Sequence, residues 1–226
     1  MTPRICVSIM PANADETEQL INNAEKAGAD FIEVRLDKFT ELGHLAEVAS
    51  HGKTPKIATL KLASQCGKFT GTESQQREIL LSAAKAGFAY VDVDLQRTNP
   101  KKFAEEVKSN GTKVIASFHN FTTTPAISEL NRILDQEISL GGDVCKIVTT
   151  ANCLEDNLTL LSFVAFASKR ANVVCFGMKE AGRVSRLLSP LFGGFFTFAS
   201  LESRAETAPG QLTIDEMKAA YSLLEV

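Results

Sequence analysis

The sequence of 226 residues lacks the long apolar segments of a membrane or exported protein. Its longest nearly apolar stretch, 158–167, is about half the ~20 residues of a membrane-spanning helix, and Thr159 and Ser162 interrupt it. The run 5–10 is too short for a signal-peptide core, and Asp15 and Glu16 follow it closely. We therefore expect no membrane partner and a cytoplasmic location.

Clusters of basic residues are equally scarce. The chain has 24 Lys and Arg against 27 Asp and Glu, and its only adjacent basic pairs are Lys101-Lys102 and Lys169-Arg170. Affinity for nucleic acid is built mainly from clustered cations that face phosphates. The sequence therefore argues against a nucleic-acid partner.

Metal-binding and redox motifs are missing too. The five cysteines contain no C-x-x-C spacing and are odd in number, which favours buried thiols. They are Cys6, Cys66, Cys145, Cys153 and Cys175. Of the three histidines only His119 has a strand-like context, and a zinc site needs more ligands than this. We expect neither a metal nor a cofactor.

What the chain does have is a regular alternation of strand-like and helical patterns. The predicted strands are 5–10, 31–36, 56–61, 90–95, 113–119, 143–148, 172–178 and 195–199. The predicted helices are 15–27, 40–50, 73–86, 100–109, 128–140, 154–169, 182–188 and 214–224. Eight such units without a linker predict an α/β protein, a (β/α)8 TIM barrel forming one domain over 1–226. The alternative is an open doubly wound sheet.

Polar residues occupy one face of several predicted strands, where a covered parallel sheet should be apolar on both faces. They are Glu33, Arg35, Asp37, Thr59, Lys61, Asp92, Asp94, Ser117, His119 and Lys146. Burying unpaired charge is costly, so we expect these residues at an active site near the carboxyl ends of the strands. An antiparallel sheet with one wet face would also explain the alternation.

Three of the polar residues suggest a chemistry. Lys146 lies among apolar neighbours in its strand, where desolvation favours a neutral amine that can attack a carbonyl. His119 ends the preceding strand and is placed to act as general acid and base. Arg186, near the start of the helix after the seventh strand, is able to hold a substrate carboxylate.

Several separated motifs resemble those of type I 3-dehydroquinate dehydratase, in the same order and over nearly the whole chain. They are 33–37 (EVRLD), 117–121 (SFHNF) with Thr124-Pro125, Lys146, Gly177-Met178 with Gly182 and Ser185-Arg186, Phe192-Gly193 with Thr197-Phe198, and 208–211 (APGQ).

The resemblance implies dehydration of 3-dehydroquinate to 3-dehydroshikimate in the shikimate pathway, by a homodimer without cofactor. It implies a Schiff base on Lys146, acid and base catalysis by His119, and a substrate carboxylate on Arg186. The other residues that it implies in the site are Ser8, Glu33, Arg35, Lys61, Met178, Thr207 and Gln211. Thr207 and Gln211 would lie on a loop that closes over the site.

The sequence departs from the family pattern after the third strand, where an arginine and a glutamate are usual. Lys61 and Gln65 stand there instead. We expect Gln65 to orient His119 by a hydrogen bond, without the charge that would stabilise an imidazolium.

Two other functions are compatible with the same residues. A class I aldolase or transaldolase also uses a barrel lysine to form an imine, although the expected phosphate site is missing, since Gly193-Gly194 precedes the eighth strand. A non-catalytic barrel that binds a small acid would use Arg35, Lys61 and Arg186.

Overall fold

The computed structural model describes residues 2–226. Its strands are β1 (Ile5–Ile9), β2 (Phe31–Arg35), β3 (Lys56–Thr59), β4 (Tyr90–Asp94), β5 (Lys113–His119), β6 (Val144–Thr150), β7 (Val173–Met178) and β8 (Thr197–Ser200). Its α-helices are α1 (Ala14–Lys26), α2 (Leu45–Ser50), α3 (Glu73–Lys85), α4 (Pro100–Ser109), α5 (Ile127–Leu140), α6 (Asp156–Ala167), α7 (Arg183–Leu188) and α8 (Ile214–Leu223).

The eight strands form one parallel sheet in the order β7-β6-β5-β4-β3-β2-β1-β8. The two outer strands of that order approach each other, since the amide of Phe195, just before β8, donates to the carbonyl of Val173 at 2.7 Å. The sheet is therefore a nearly closed (β/α)8 barrel, as predicted, and the antiparallel alternative is wrong. No helix within residues 2–226 is long and apolar enough to cross a membrane.

Side-chain alternation divides the barrel interior into an apolar layer and a polar layer. Toward the amino ends of the strands, the interior is closed by a buried cluster that includes Cys6, Phe31, Ile57, Tyr90, Ile115, Val144, Val174 and Phe196. The residues two positions further along six of these strands are Ser8, Glu33, Thr59, Asp92, Ser117 and Lys146. The packed lower layer thus leaves polar groups to meet above it, at the carboxyl end.

Several predicted elements are shorter in the structure, and the physical reason is visible in two of them. The predicted third strand ran to residue 61, but β3 ends at Thr59 because the amide of Lys61 donates to the Asp37 carboxylate at 3.3 Å instead of to a strand. The predicted second helix began at 40, but α2 begins at Leu45, after a 3-10 turn over Leu42–His44. Both differences lie at the carboxyl end of the barrel, where the loops begin.

Candidate active site

A cavity of about 270 Å³ opens at the carboxyl ends of the strands. Ten of the eleven residues predicted for the site line it: Glu33, Arg35, Lys61, Gln65, His119, Lys146, Met178, Arg186, Thr207 and Gln211. The remaining one, Ser8, is buried and donates a hydrogen bond from its hydroxyl to Glu33. The cavity therefore brings together residues from both ends of the chain.

Lys146 points into the barrel and contacts two carboxylates. Its Nζ lies 3.2 Å from Asp92 Oδ2 and 3.4 Å from Glu33 Oε1, and 4.4 Å from the centre of the Phe198 ring. Its neighbours within β6 are apolar, as predicted, but the amine also contacts these two carboxylates from other strands. The strand pattern missed these partners because they lie on β4 and β2, which only barrel closure brings to β6.

Lys61 is held in the wall of the site by an ion network. Its Nζ lies 2.9 Å from Asp92, 3.2 Å from Asp94 and 3.2 Å from the Ser117 hydroxyl. Burial alone would lower the pKa of Lys61, but the two carboxylates outweigh burial and raise it. An ammonium has three protons to donate, and these three contacts use all of them. These contacts hold Lys61 in the wall of the cavity, and its predicted contact with substrate stays a prediction.

Asp92 joins the two lysines and was assigned no role from the sequence. It accepts from Lys61, Lys146 and Ser117, the last at 2.7 Å. Burial opposes its ionisation, but the positive charges of Lys61 and Lys146 hold the pKa of Asp92 far below its ordinary value. Its inward position in β4 was visible in the alternation of 90–94, but its partners depend on the tertiary structure.

Removing the charge of Asp92 should destabilise the barrel. We expect Asp92→Asn to lower the free energy of unfolding in urea by about 3 kcal/mol or more, because two buried ammonium groups lose a shared carboxylate. Asp135→Asn, which removes an exposed carboxylate paired with Arg170, is the matched control and should change little. Equal unfolding free energies for the two variants would contradict this account of Asp92.

His119 lines the cavity and stacks at 5.8 Å on Phe121. Burial, followed by the charges of Lys61 and Lys146, lowers the pKa of His119 well below its usual value, and Asp92 opposes this only in part. Its Nδ1 is buried without a hydrogen-bond partner within residues 2–226. The imidazole is therefore neutral near pH 7 and able to accept a proton.

Gln65 does not orient His119 as predicted. Its Oε1 accepts from the amide of Leu62 at 3.1 Å and from Gln76 Nε2 at 3.1 Å. These contacts turn the amide toward its own 3-10 turn and α3, although the residue still lines the cavity. The hydrogen bond to His119 is therefore a wrong prediction, since the Leu62 amide and the Gln76 side chain satisfy the Gln65 oxygen.

Arg35 and Arg186 are held differently. Arg35 forms a bidentate pair with Asp37, from Nε at 2.9 Å and from Nη2 at 2.6 Å. Arg186 is 1% exposed, and its guanidinium carbon lies 4.1 Å from the Phe176 ring centre. Burial lowers the pKa of Arg186 to about 9, and its Nε has no partner among the described residues. Arg186 is therefore the cation of the cavity that most needs an anionic ligand.

The segment between β8 and α8 covers one side of the cavity. Thr207 donates from its hydroxyl to Ser8 at 2.8 Å, and its amide donates to Gln211 Oε1 at 2.8 Å. On the opposite side, the carbonyl of Pro209 accepts from Arg186 Nη2 at 3.5 Å. Thr207 and Gln211 thus lie on a loop that contacts both β1 and α7.

The fold and cavity together define a class of protein, a (β/α)8-barrel enzyme whose site holds a lysine, a histidine and a buried arginine at the carboxyl ends of the strands. The model of type I 3-dehydroquinase matches residues 5–226. The chain belongs to the type I 3-dehydroquinase family. It is thereby a hydro-lyase of the shikimate pathway, which decides against the aldolase and the non-catalytic barrel.

Individual relatives agree with this assignment. A curated 3-dehydroquinate dehydratase from Coxiella burnetii (strain CbuK_Q154) is 35% identical, over 97% of this chain and 93% of its own length. Another, from Methanococcus maripaludis (strain C5), is 30% identical, over 98% of this chain and 100% of its own length. A type I enzyme from Clostridium difficile, solved with covalent modified comenic acid, has a TM-score of 0.88 at 25% identity, covering 98% of this chain and 92% of that one.

Proposed function

We propose that the chain, as one catalytic domain over 1–226, dehydrates 3-dehydroquinate to 3-dehydroshikimate through a Schiff base on Lys146. The observation that carries the proposal is that one cavity is lined by Lys146, the neutral His119 and Arg186, whose Nε has no partner within residues 2–226. The covalent ligand of the Clostridium difficile relative is consistent with a nucleophile in such a site.

The first step forms the imine. The Lys146 amine attacks the ring ketone, and loss of water leaves an iminium that joins Nζ to the former carbonyl carbon. Before this, the ammonium must lose a proton, and the neutral His119 of the same cavity is able to take it and to return it to the hydroxyl that leaves as water. Arg186 holds the substrate carboxylate. The oxygens of this carboxylate accept hydrogen bonds from the Arg186 guanidinium, whose Nε has no acceptor within residues 2–226.

The second step eliminates the hydroxyl. The iminium withdraws electrons from the adjacent carbon, so His119 removes a proton there and an enamine forms. The enamine expels the hydroxyl two carbons from the imine, and the protonated His119 returns its proton to make that group water. Hydrolysis of the remaining iminium releases the enone and restores the amine. Imine formation and elimination each release one water, and hydrolysis of the iminium consumes one, so the reaction removes one water from the substrate.

The remaining site residues would position the substrate and cover it. Glu33 and Arg35 line the cavity and would contact ring hydroxyls. Ser8, Thr207 and Gln211 would hold the covering segment through the hydrogen bonds described above. Met178 and Gln65 would line the site without taking part in proton transfer.

Borohydride reduction in the presence of 3-dehydroquinate tests the proposal. We expect the mass of the reduced ligand on the peptide that contains Lys146, with no adduct at Lys179, a lysine of the same cavity that serves as internal control. An unmodified Lys146 with ligand binding retained would contradict the Schiff base. Trapping of a sugar phosphate but not of dehydroquinate would support the aldolase instead.

The proposal extends to a homodimer in the cytoplasm, where free thiols such as the five of this chain persist. Large apolar side chains at and near α6 are 66%, 67% and 70% exposed: Leu154, Leu158 and Phe166. A second copy of the chain would bury them.

Sedimentation velocity tests the dimer. We expect Leu158→Glu to weaken self-association by about tenfold or more, because a carboxylate would be buried in an apolar interface. Leu223→Glu, at an 85% exposed position on α8, should leave self-association unchanged. A monomeric wild-type chain at micromolar concentration would rule out the interface.

A further inference from the structure

A second cavity, of about 410 Å³, lies outside the barrel between the first turns of α3 and α4. Its lining residues are Glu73, Ser74, Arg77, Arg97, Thr98, Asn99, Lys102 and Phe103, none of which lines the candidate active site. Three of them are cations and one is a carboxylate. The cavity is therefore a separate and positively charged site.

Arg97 is the central feature of this cavity. Its side chain is only 3% exposed, and its guanidinium carbon lies 3.8 Å from the centre of the Phe103 ring, which fixes its plane. Its Nε is buried without a partner within residues 2–226, and the nearest carboxylate oxygen, on Glu73, is 3.8 Å from Nη2. That separation is too long for a hydrogen bond. Arg97 therefore has one long ion pair and a buried Nε that finds no acceptor in the part of the chain that the structure describes.

The neighbouring acids are engaged elsewhere. Glu73 accepts from the amide of Thr98 at 2.9 Å and from its hydroxyl at 3.3 Å. Glu106, outside the cavity, pairs with Arg77. Neither carboxylate is placed to satisfy Arg97. Because the ion pair of Arg97 is long and its buried Nε has no partner among the described residues, an anionic ligand from outside the chain would supply the missing acceptor oxygens.

The amino end of α4 adds further donors to the same cavity. Its N-cap, Asn99, has a φ of 50° and makes no side-chain capping bond, and Pro100 occupies the first turn. The helix therefore presents backbone N–H groups without a side-chain acceptor, together with the positive end of its dipole. By contrast, the amino end of α3 is capped by Thr72 and Gln75. Lys102, an exposed residue of the first turn of α4, supplies another charge.

We propose that this cavity binds the phosphate group of a small phosphorylated molecule, held by Arg97, Lys102 and the first turn of α4. A phosphate carries about −1.5 to −2 charges at pH 7 and three acceptor oxygens, which suits a buried guanidinium, an ammonium and helix N–H groups better than a single carboxylate does. The site lies on the β4-to-α4 connection, whose Gln96 amide donates to the active-site carboxylate Asp94 at 2.9 Å.

Titration calorimetry of the full chain with inorganic phosphate, at constant ionic strength, tests the proposal. We expect a saturable site that persists in Arg186→Gln, and Arg97→Gln and Lys102→Gln should each weaken binding at it by about tenfold or more. Lys102 is exposed, so its variant tests the site even if Arg97→Gln fails to fold. Lys101→Gln is the matched control, because Lys101 is the adjacent exposed lysine but does not line the cavity. The affinity of Lys101→Gln for phosphate should equal that of the wild type.

Two further titrations distinguish this site from other anion sites. Arg186→Gln should retain the phosphate, whereas loss of binding in that variant would place the anion in the active site and overturn the proposal. Acetate should bind at least about tenfold more weakly than phosphate. Equal affinity for acetate, equal weakening by Lys101→Gln, or no saturable binding of phosphate by the wild type would each overturn it as well.

Discussion

Lys146→Ala should lower kcat by about 10⁴-fold or more and abolish the borohydride-trapped adduct. The reason is that no other amine of the cavity is free to replace it. The Nζ of Lys61 is used by Asp92, Asp94 and Ser117, and Lys179 is exposed at the rim, where it donates to Asn152 at 3.1 Å. Product formation is followed by the absorbance of the conjugated enone.

Two control variants test whether Lys146 acts as a nucleophile. Lys179→Ala removes another amine of the same cavity and should retain most of the activity. Lys146→Arg keeps a cation near Glu33 and Asp92 but cannot form an imine, so it should be as inactive as the alanine variant. Turnover close to that of the wild type in Lys146→Arg would show that the side chain acts as a charge and not as a nucleophile.

His119→Ala should separate imine formation from elimination. We expect kcat to fall by about 10²- to 10⁴-fold, while dehydroquinate still adds slowly to Lys146 and the covalent intermediate accumulates. The nucleophile and the base are different groups on neighbouring strands, so removing one leaves the other in place. Mass spectrometry of the intact protein measures the adduct. Loss of adduct to the same extent as in Lys146→Ala would contradict this division of roles.

The pH dependence follows from the lowered pKa of His119. A histidine at its ordinary pKa of about 6.5 would lose its function as a base when the pH falls through that value. Because burial and the charges of Lys61 and Lys146 lower the pKa of His119, we expect the acid limb of the wild-type rate to lie below pH 6.5. The same lowered pKa reduces the free energy of unfolding as the pH falls below 6.5, because His119 of the unfolded chain then binds a proton that native His119 does not bind.

Much of this molecule could be predicted from its sequence. The alternation of eight strand and helix patterns specified a barrel, because parallel strands need crossover helices of this length. The two-residue periodicity within the strands placed Glu33, Asp92 and Lys146 on the inner face, since a strand turns every second side chain to the same side.

The partners of these side chains could not be predicted in the same way. Asp92 lies on β4 and Lys146 on β6, with β5 between them, so their contact depends on the curvature and closure of the sheet. The Gln65 amide oxygen accepts from Leu62 and Gln76, and the Gln76 side chain reaches it only when α3 packs against the turn that follows β3. The ion network of Lys61 has the same origin, because Asp92, Asp94 and Ser117 surround its amine only in the folded chain.

The sequence by itself thus determined the order of the elements, the inward faces of the strands and the set of residues able to do the chemistry, because these depend on local periodicity and residue type. The tertiary structure alone decided which charges pair, which cations are left without acceptors, and the resulting protonation state of His119. Electrostatic energies depend on distance and burial, and for residues far apart in the chain both are established only when the barrel closes.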